Sequence, residues 1–293
     1  MKSYINLNKS KTSQENFRAM VRLLGSEEGI EISQYEIGKN SIFFAAPALL
    51  PDTYEFYYIV SGKLVHNDTT YSTYDYIETF NIIEPLKFTA QEDTVVLYIG
   101  SKSGEYAHSD AFTEELVKHL DTIQEKDHYT YKHCRSVKRL VNHIAEEMNL
   151  PPSEQKNLLL AAYFHDVGKV KTPDHILNKK GKLTSEEYEI MKNHVTHSYE
   201  MISSTLGHDI AEIIITHHER LDGSGYPKGI KDIPLLGRIL GVADSYDAMT
   251  TKRIYQDAKS HEIAIKELLS MNDKYDEKIV HILDKIKKIT HKA

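Results

Sequence analysis

Apolar and polar positions follow two different rhythms along this chain of 293 residues. Between residues 28 and 105 the apolar positions fall in short runs rich in aromatic and β-branched side chains: SIFFAA, YEFYYIVSG, KLVHN, KFTA and TVVLYIG. Such runs read as strands, because successive side chains on a strand point to opposite faces. Pro47, Pro51, Gly62, Asn67, Asp68 and Pro85 lie between them as turn residues. Many short strands close together predict a small barrel or sandwich. Ahead of them, Phe17, Met20, Val21, Leu23 and Leu24 space like one face of a short helix over residues 12–24.

Beyond this part the period lengthens. Residues 107–126 predict a linker helix, capped by Ser109 or Asp110, with Leu116, Leu120 and Ile123 along one side. That stripe suits either a homodimer contact or burial against a neighbouring domain. Amphipathic patterns continue over 137–150, 153–170, 185–204, 208–221, 234–251 and 261–270. The expected architecture is therefore two-domain, β then α. A small β-barrel spans residues 1–106, the linker helix 107–126, and an all-α bundle 127–293.

Composition narrows the setting. The chain is 40% hydrophobic and 27% charged, as in ordinary globular proteins, and its net charge of −7 argues against general nucleic-acid binding. A local basic pocket for a small phosphate ligand is still compatible with that charge. The lone Cys134 excludes an internal disulfide and a zinc–thiolate cluster. MKSYINLNKSKTSQENF has no signal-peptide core, and no run approaches about 18 apolar residues. A cytoplasmic setting without membrane partners is expected.

The chemistry gathers in the second part. Of 16 histidines only His66 precedes residue 100. The most informative stretch is HHERLDGSGYP, His217 to Pro227, with His165-Asp166 upstream and Asp244 downstream. His133, His165, Asp166, His194, His217, His218 and Asp244 form an ordered set of imidazole and carboxylate donors. That chemistry suits iron, manganese or zinc. Asp166 follows the apolar LLLAAYF, so it is expected to be buried and to need a cation or donors. Gly168 permits close backbone approach, and Lys169 sets a positive charge beside the pair. The tandem His217 and His218 can serve two neighbouring ions, or one can ligate while the other bonds to product. Asp222 to Gly225 reads as a turn whose exit Pro227 fixes.

These segments resemble the HD-GYP family, the cyclic di-GMP phosphodiesterase branch of the HD superfamily, over about residues 125–290. The resemblance rests on HDVGK (165–169), ILNKKGKLTSEEYEIMKNH (176–194), HHERLDGSGYP (217–227) and IPLLGRILGVADSYDAMT (233–250). It implies an HD-type helical bundle holding two divalent transition metals, iron or manganese before zinc. His133, His165, His194, His217, His218 and Asp244 match the family's ligands, and Asp166 matches a bridging one. Lys169 matches a lysine beside the scissile phosphate, while Gly225, Tyr226 and Pro227 match a loop near the substrate. Some members hold a third metal through a glutamate where this chain has Tyr129, so two ions are expected; Asp127 is the alternative donor if the helix begins differently. The implied reaction is hydrolysis of cyclic di-GMP to pGpG and/or GMP by a hydroxide held between the metals, with Lys169 offsetting charge. Arg253, Lys179, Lys180, Lys182 and Arg220 are candidate phosphate or base contacts. The competing readings are hydrolysis of another cyclic or linear nucleotide, and a nucleotide-binding adaptor with little turnover.

The first part resembles a single cupin-type β-barrel, on EFYYIVSGKLVHND, a Tyr-rich turn and VVLYIG. Only His66 stands near a cupin ligand position, so metal chemistry is not expected there. Tyr54, Tyr57, Tyr58, Tyr71, Tyr74 and Tyr76 either line a pocket for a small-molecule effector or simply pack the barrel.

Overall fold

The computed structural model describes residues 19–27, 29–45, 52–82, 84–102, 122, 128–179, 181–251 and 258–285. The chain separates into two compact units, residues 1–111 and 112–293.

Among the described residues the first unit holds nine antiparallel strands: β1 (Ala19–Glu27), β2 (Ile30–Ile37), β3 (Ile42–Ala45), β4 (Tyr54–Ser61), β5 (Lys63–His66), β6 (Thr69–Ser72), β7 (Tyr76–Phe80), β8 (Leu86–Ala90) and β9 (Thr94–Gly100). They form a five-stranded sheet, β1-β2-β9-β4-β7, and a four-stranded sheet, β3-β8-β5-β6. Tyr57, Ile59, Val96 and Tyr98 of one sheet and Phe43, Leu64, Phe88 and Ala90 of the other share a single core. Among the described strands no hydrogen-bonded ladder joins the sheets, so this is a two-sheet sandwich and not the closed barrel expected. The interdigitated rings account for it: side-chain packing, not edge pairing, brings the two faces together.

The helix expected over 12–24 is also corrected. Residues 12–18 lie outside the described residues, and Ala19 to Glu27 is a strand paired with β2 from Ala19↔Ile37 to Glu27↔Ile30. Apolar residues at 20, 21, 23 and 24 suit either period, and the neighbouring strand decides between them by satisfying the backbone. The tyrosines differ in exposure. Tyr57 is buried, Tyr54, Tyr74 and Tyr76 are exposed, and Tyr58 and Tyr71 lie between. His66 Nδ1 bonds the Lys87 carbonyl at 2.8 Å, its Nε2 lies 3.2 Å from Asn67 Nδ2, and its ring lies against Phe88. The linker helix expected at 107–126 lies, except for Thr122, outside the described residues.

The second unit is helical: α1 (His128–Glu147), α2 (Pro152–Phe164), a 3-10 turn (Val167–Lys171), α3 (Asp174–Leu177), α4 (Ser185–Thr205), α5 (His208–Thr216), α6 (Leu235–Thr250), α7 (His261–Ser270) and α8 (Glu277–Lys285). Local chemistry sets the starts. Pro152 opens α2, where a missing N–H costs nothing. Thr184 and Glu187 make a reciprocal capping box at α4, and Ser260 caps α7. Two helices stop earlier than their periodicity suggests. At the end of α2 the His165 ring bonds the Ala162 carbonyl, and at the end of α5 the His217 ring bonds the Ile214 carbonyl. Each ring adds a bond to a carbonyl of the last helical turn, and the Ile214 carbonyl also accepts the His217 backbone N–H at 3.3 Å. Both motif pairs, His165-Asp166 and His217-His218, therefore begin where a helix ends.

Candidate metal centre

Three buried histidines obey one rule. Nδ1 of His165, His194 and His217 lies 2.8, 2.7 and 2.5 Å from the carbonyl three residues earlier, that of Ala162, Met191 and Ile214. A carbonyl can only accept, so each Nδ1 carries the proton and each Nε2 presents a lone pair. All three Nε2 atoms are buried and without a hydrogen-bond partner. An orphaned buried acceptor is costly, and three facing one another are costlier still. Burial holds these imidazoles neutral: His165 is lowered, His194 falls to about 4 and His217 to about 3.

The donors sort into two trios whose ligand atoms lie within 4.8 Å of one another: His133, His165 and Asp244; and His194, His217 and His218. Asp166 faces both. Its Oδ1 is 3.3 Å from His194 Nε2, and its Oδ2 is 3.5 Å from His165 Nε2 and 2.6 Å from Lys169 Nζ. Burial opposes ionisation of Asp166, but Lys169 and the surrounding imidazoles outweigh it and hold the carboxyl well below its usual range. Neutral imidazoles, ionised carboxylates and aligned lone pairs are what first-row divalent ions require, so the residues fit such ions. A tight backbone contact brings the trios together. A Cβ on Gly168 would lie 2.2 Å from the His194 carbonyl, so only glycine lets the 3-10 turn meet α4 this closely.

His133 is held differently. Its Nε2 lies 2.9 Å from Asp244 Oδ1, and its Nδ1 donates to Asp247 Oδ2 at 2.6 Å. Burial alone would depress it, yet the two carboxylates push it up to about 9. Asp247 is a site neighbour that reading the sequence for ligands overlooks. The available signal was its place one helical turn after Asp244 in VADSYDA. Cys134 also reaches the cluster, within 4.8 Å of His165 and Asp166 donor atoms, but burial and Asp166 keep its thiol protonated.

The Gly-Tyr-Pro loop closes one side. The Tyr226 ring stacks on His218 at 4.7 Å between centroids, and its backbone N–H donates to the His218 carbonyl at 3.2 Å. The Tyr226-Pro227 peptide is cis. Ser224 N–H bonds Asp222 Oδ1 at 2.8 Å, the turn the sequence predicts. Gly225 is needed for clearance, since a Cβ there would lie 2.4 Å from the Glu219 Cα. The second overlooked residue is Glu219. Its buried carboxylate accepts the backbone N–H groups of Lys228, Gly229 and Ile230 at 2.7, 3.2 and 3.1 Å, pinning the loop just past Pro227. Its signal in the sequence was its place directly after the two histidines in HHER.

The candidate substrate contacts fare unevenly. Arg220 is committed to the carbonyls of His217 and Glu219 and to the Tyr275 ring, so it braces the loop instead of facing the trios. Lys179 pairs with Glu187 at 2.5 Å in the α4 cap. Lys182 is exposed. Lys180, Arg253 and Asp127 lie outside the described residues, and Tyr129 falls in α1.

The fold and centre define a helical domain built around a His–Asp cluster. The HD domain family model matches residues 119–279, and the chain belongs to that family. It is 40% identical over 204 residues to a Thermotoga maritima protein named cyclic di-GMP phosphodiesterase, covering 66% of this chain and 55% of that protein. It is 37% identical over 178 residues to a Vibrio cholerae protein named 3'3'-cGAMP-specific phosphodiesterase 2, covering 58% of this chain and 34% of the relative. A third relative, the Xanthomonas campestris cyclic di-GMP phosphodiesterase response regulator RpfG, is 35% identical over 176 residues, covering 58% and 47%. The chain thus spans from about a third to just over half of these relatives' lengths. No described helix is long and apolar enough to cross a membrane.

Proposed function

We propose that the helical unit hydrolyses a cyclic dinucleotide, cyclic di-GMP first, to pGpG and/or GMP. The observation that carries this is the set of three buried, partnerless Nε2 atoms around a carboxylate that faces both trios. His133, His165 and Asp244 would hold one ion, His194, His217 and His218 a second, and Asp166 would touch both. Two such ions supply an acidified water and neutralisation of the phosphate charge; iron or manganese is the choice that the family resemblance supports.

The chain's own groups do the rest. Lys169, with its side chain 19% exposed, sits at the edge of the cluster and would offset charge on the phosphate as it cleaves. Tyr226 covers His218, so Gly225, Tyr226 and Pro227 would set the width of the opening to the phosphate. No side chain is required as nucleophile, and protonated Cys134 is unsuited to the part.

The test is a panel of cyclic di-GMP, mixed cyclic GMP–AMP and cyclic di-AMP, with product analysis and metal content on the same anaerobic sample. The mixed substrate is the second reading, favoured by the name of the Vibrio relative. A folded, metal-loaded chain that cleaves none of them would leave the adaptor reading in its place. Residues 1–106 are not needed for this chemistry and are read as a sensory domain controlling it from a cytoplasmic setting. A shortened chain starting at Ser109 with the same kinetics, oligomeric state and response to a ligand panel would remove that role.

A further inference from the structure

Outward from the second trio runs a line of side chains, from Tyr226 to Lys192 and Tyr188. Tyr226, stacked on His218, has the Lys192 ammonium 5.4 Å from its ring centre. The same ammonium lies 4.9 Å from the ring centre of Tyr188, one helical turn back on α4. Glu189 holds it from the open side at 2.7 Å. Lys192 is thus fixed between two aromatic faces, with 27% of its side chain still open to solvent. Tyr188 is 47% exposed, a large aromatic surface left uncovered beside the cluster.

We infer that Tyr188 and Lys192 form the surface on which the substrate's guanine base is held and read. The placement suits the chemistry. Tyr188 precedes the cluster residue His194 by six positions, about 9 Å along the helix axis at 1.5 Å per residue. A nucleobase lies one sugar away from its phosphate, on that same scale, so a phosphate at the trios brings its base to this wall. An exposed tyrosine face stacks any base, because every base has a π-face. The ammonium adds selectivity. Guanine offers two acceptors, O6 and N7, on the edge where adenine offers one acceptor and an N–H donor. A lysine steadied by two rings and a carboxylate therefore favours guanine. So far as it concerns a substrate, this inference rests on the phosphodiesterase reading; as a base-binding surface it can be tested without turnover.

The experiment measures GMP and AMP binding to the metal-loaded full chain by calorimetry, with kcat/KM for cyclic di-GMP and cyclic di-AMP alongside. Tyr188→Ala should weaken both GMP and AMP by about ten-fold, and Tyr188→Phe should recover the loss, since the ring and not the hydroxyl is used. Lys192→Met should weaken GMP by about ten-fold and AMP by less than about two-fold, collapsing the guanine preference in binding and in kcat/KM together. Tyr188 is exposed and Lys192 half-buried, so unchanged metal content and unchanged Tm check that each variant keeps its fold and site. Equal weakening of GMP and AMP by Lys192→Met would mean a general charge effect and would overturn the assignment, as would full affinity in Tyr188→Ala or a wild-type chain that binds neither nucleotide. A wild-type chain that prefers GMP but cleaves nothing would overturn the phosphodiesterase reading and leave this surface standing.

Discussion

Asp247 accepts a 2.6 Å hydrogen bond from the Nδ1–H of His133, while Asp244, one turn earlier on α6, meets the other nitrogen of the same ring. The pair spans 114 residues of sequence, fixes the orientation of the ring and holds the Nδ1 proton in place when the ring gives up the other one. Asp247→Ala should therefore reduce metal affinity by roughly 10–100-fold without removing a ligand, and Asp247→Asn by less. Competition with a chelator reads this directly; unchanged affinity in both variants would show that Asp247 only packs.

The same geometry predicts a proton count. His133 is raised to about 9, so it is protonated near neutral pH, whereas burial keeps His194 and His217 neutral down to about 4 and 3. A metal ligand must give up its proton. Metal uptake near pH 7 should then release about one proton, from His133, and apparent affinity should rise with pH until it levels near pH 9. Calorimetry in buffers of different ionisation enthalpy counts the protons. Affinity that is flat over this range would contradict the assignment.

Asp166 and Lys169 should separate cleanly. Asp166→Ala removes the carboxylate facing both trios and should abolish turnover along with much of the bound metal. Lys169→Ala should keep the metal and lower kcat by roughly a hundred-fold, the usual scale for losing one charge-stabilising donor. Elemental analysis and steady-state kinetics on cyclic di-GMP check both; wild-type turnover in Asp166→Ala would end the residue assignment.

Glu219 should act through the loop. Glu219→Ala strips three partly buried backbone N–H groups of their acceptor, a cost of about 1 kcal/mol or more. Tyr226 then loses its fixed stack on His218. The expected result is a lower Tm and a higher KM with metal content kept, and a milder change in Glu219→Gln. Loss of metal with unaltered KM would place Glu219 in the centre itself and not in the loop.

The sequence by itself determined the order and type of parts. A β-rich part precedes a helical one because the two hydrophobic periods differ, and each of His133, His165, Asp166, His194, His217, His218 and Asp244 sits in a local pattern legible by eye. Helix starts at Pro152, Thr184 and Ser260 were similarly local, since a cap acts within one turn. What only the tertiary structure decided depends on partners distant in the chain. Residues 19–27 became a strand because β2 offered them a ladder. The sheets remained a sandwich because packed rings, not paired edges, brought them face to face. Asp247 and Glu219 acquired their tasks from His133 and from the 228–230 backbone, contacts no periodicity encodes. The helices ended at His165 and His217 because those rings turned back on carbonyls of their own last turns. That choice leaves the opposite nitrogens aimed at one shared cluster, and only the packing of α4 against Gly168 draws the cluster together.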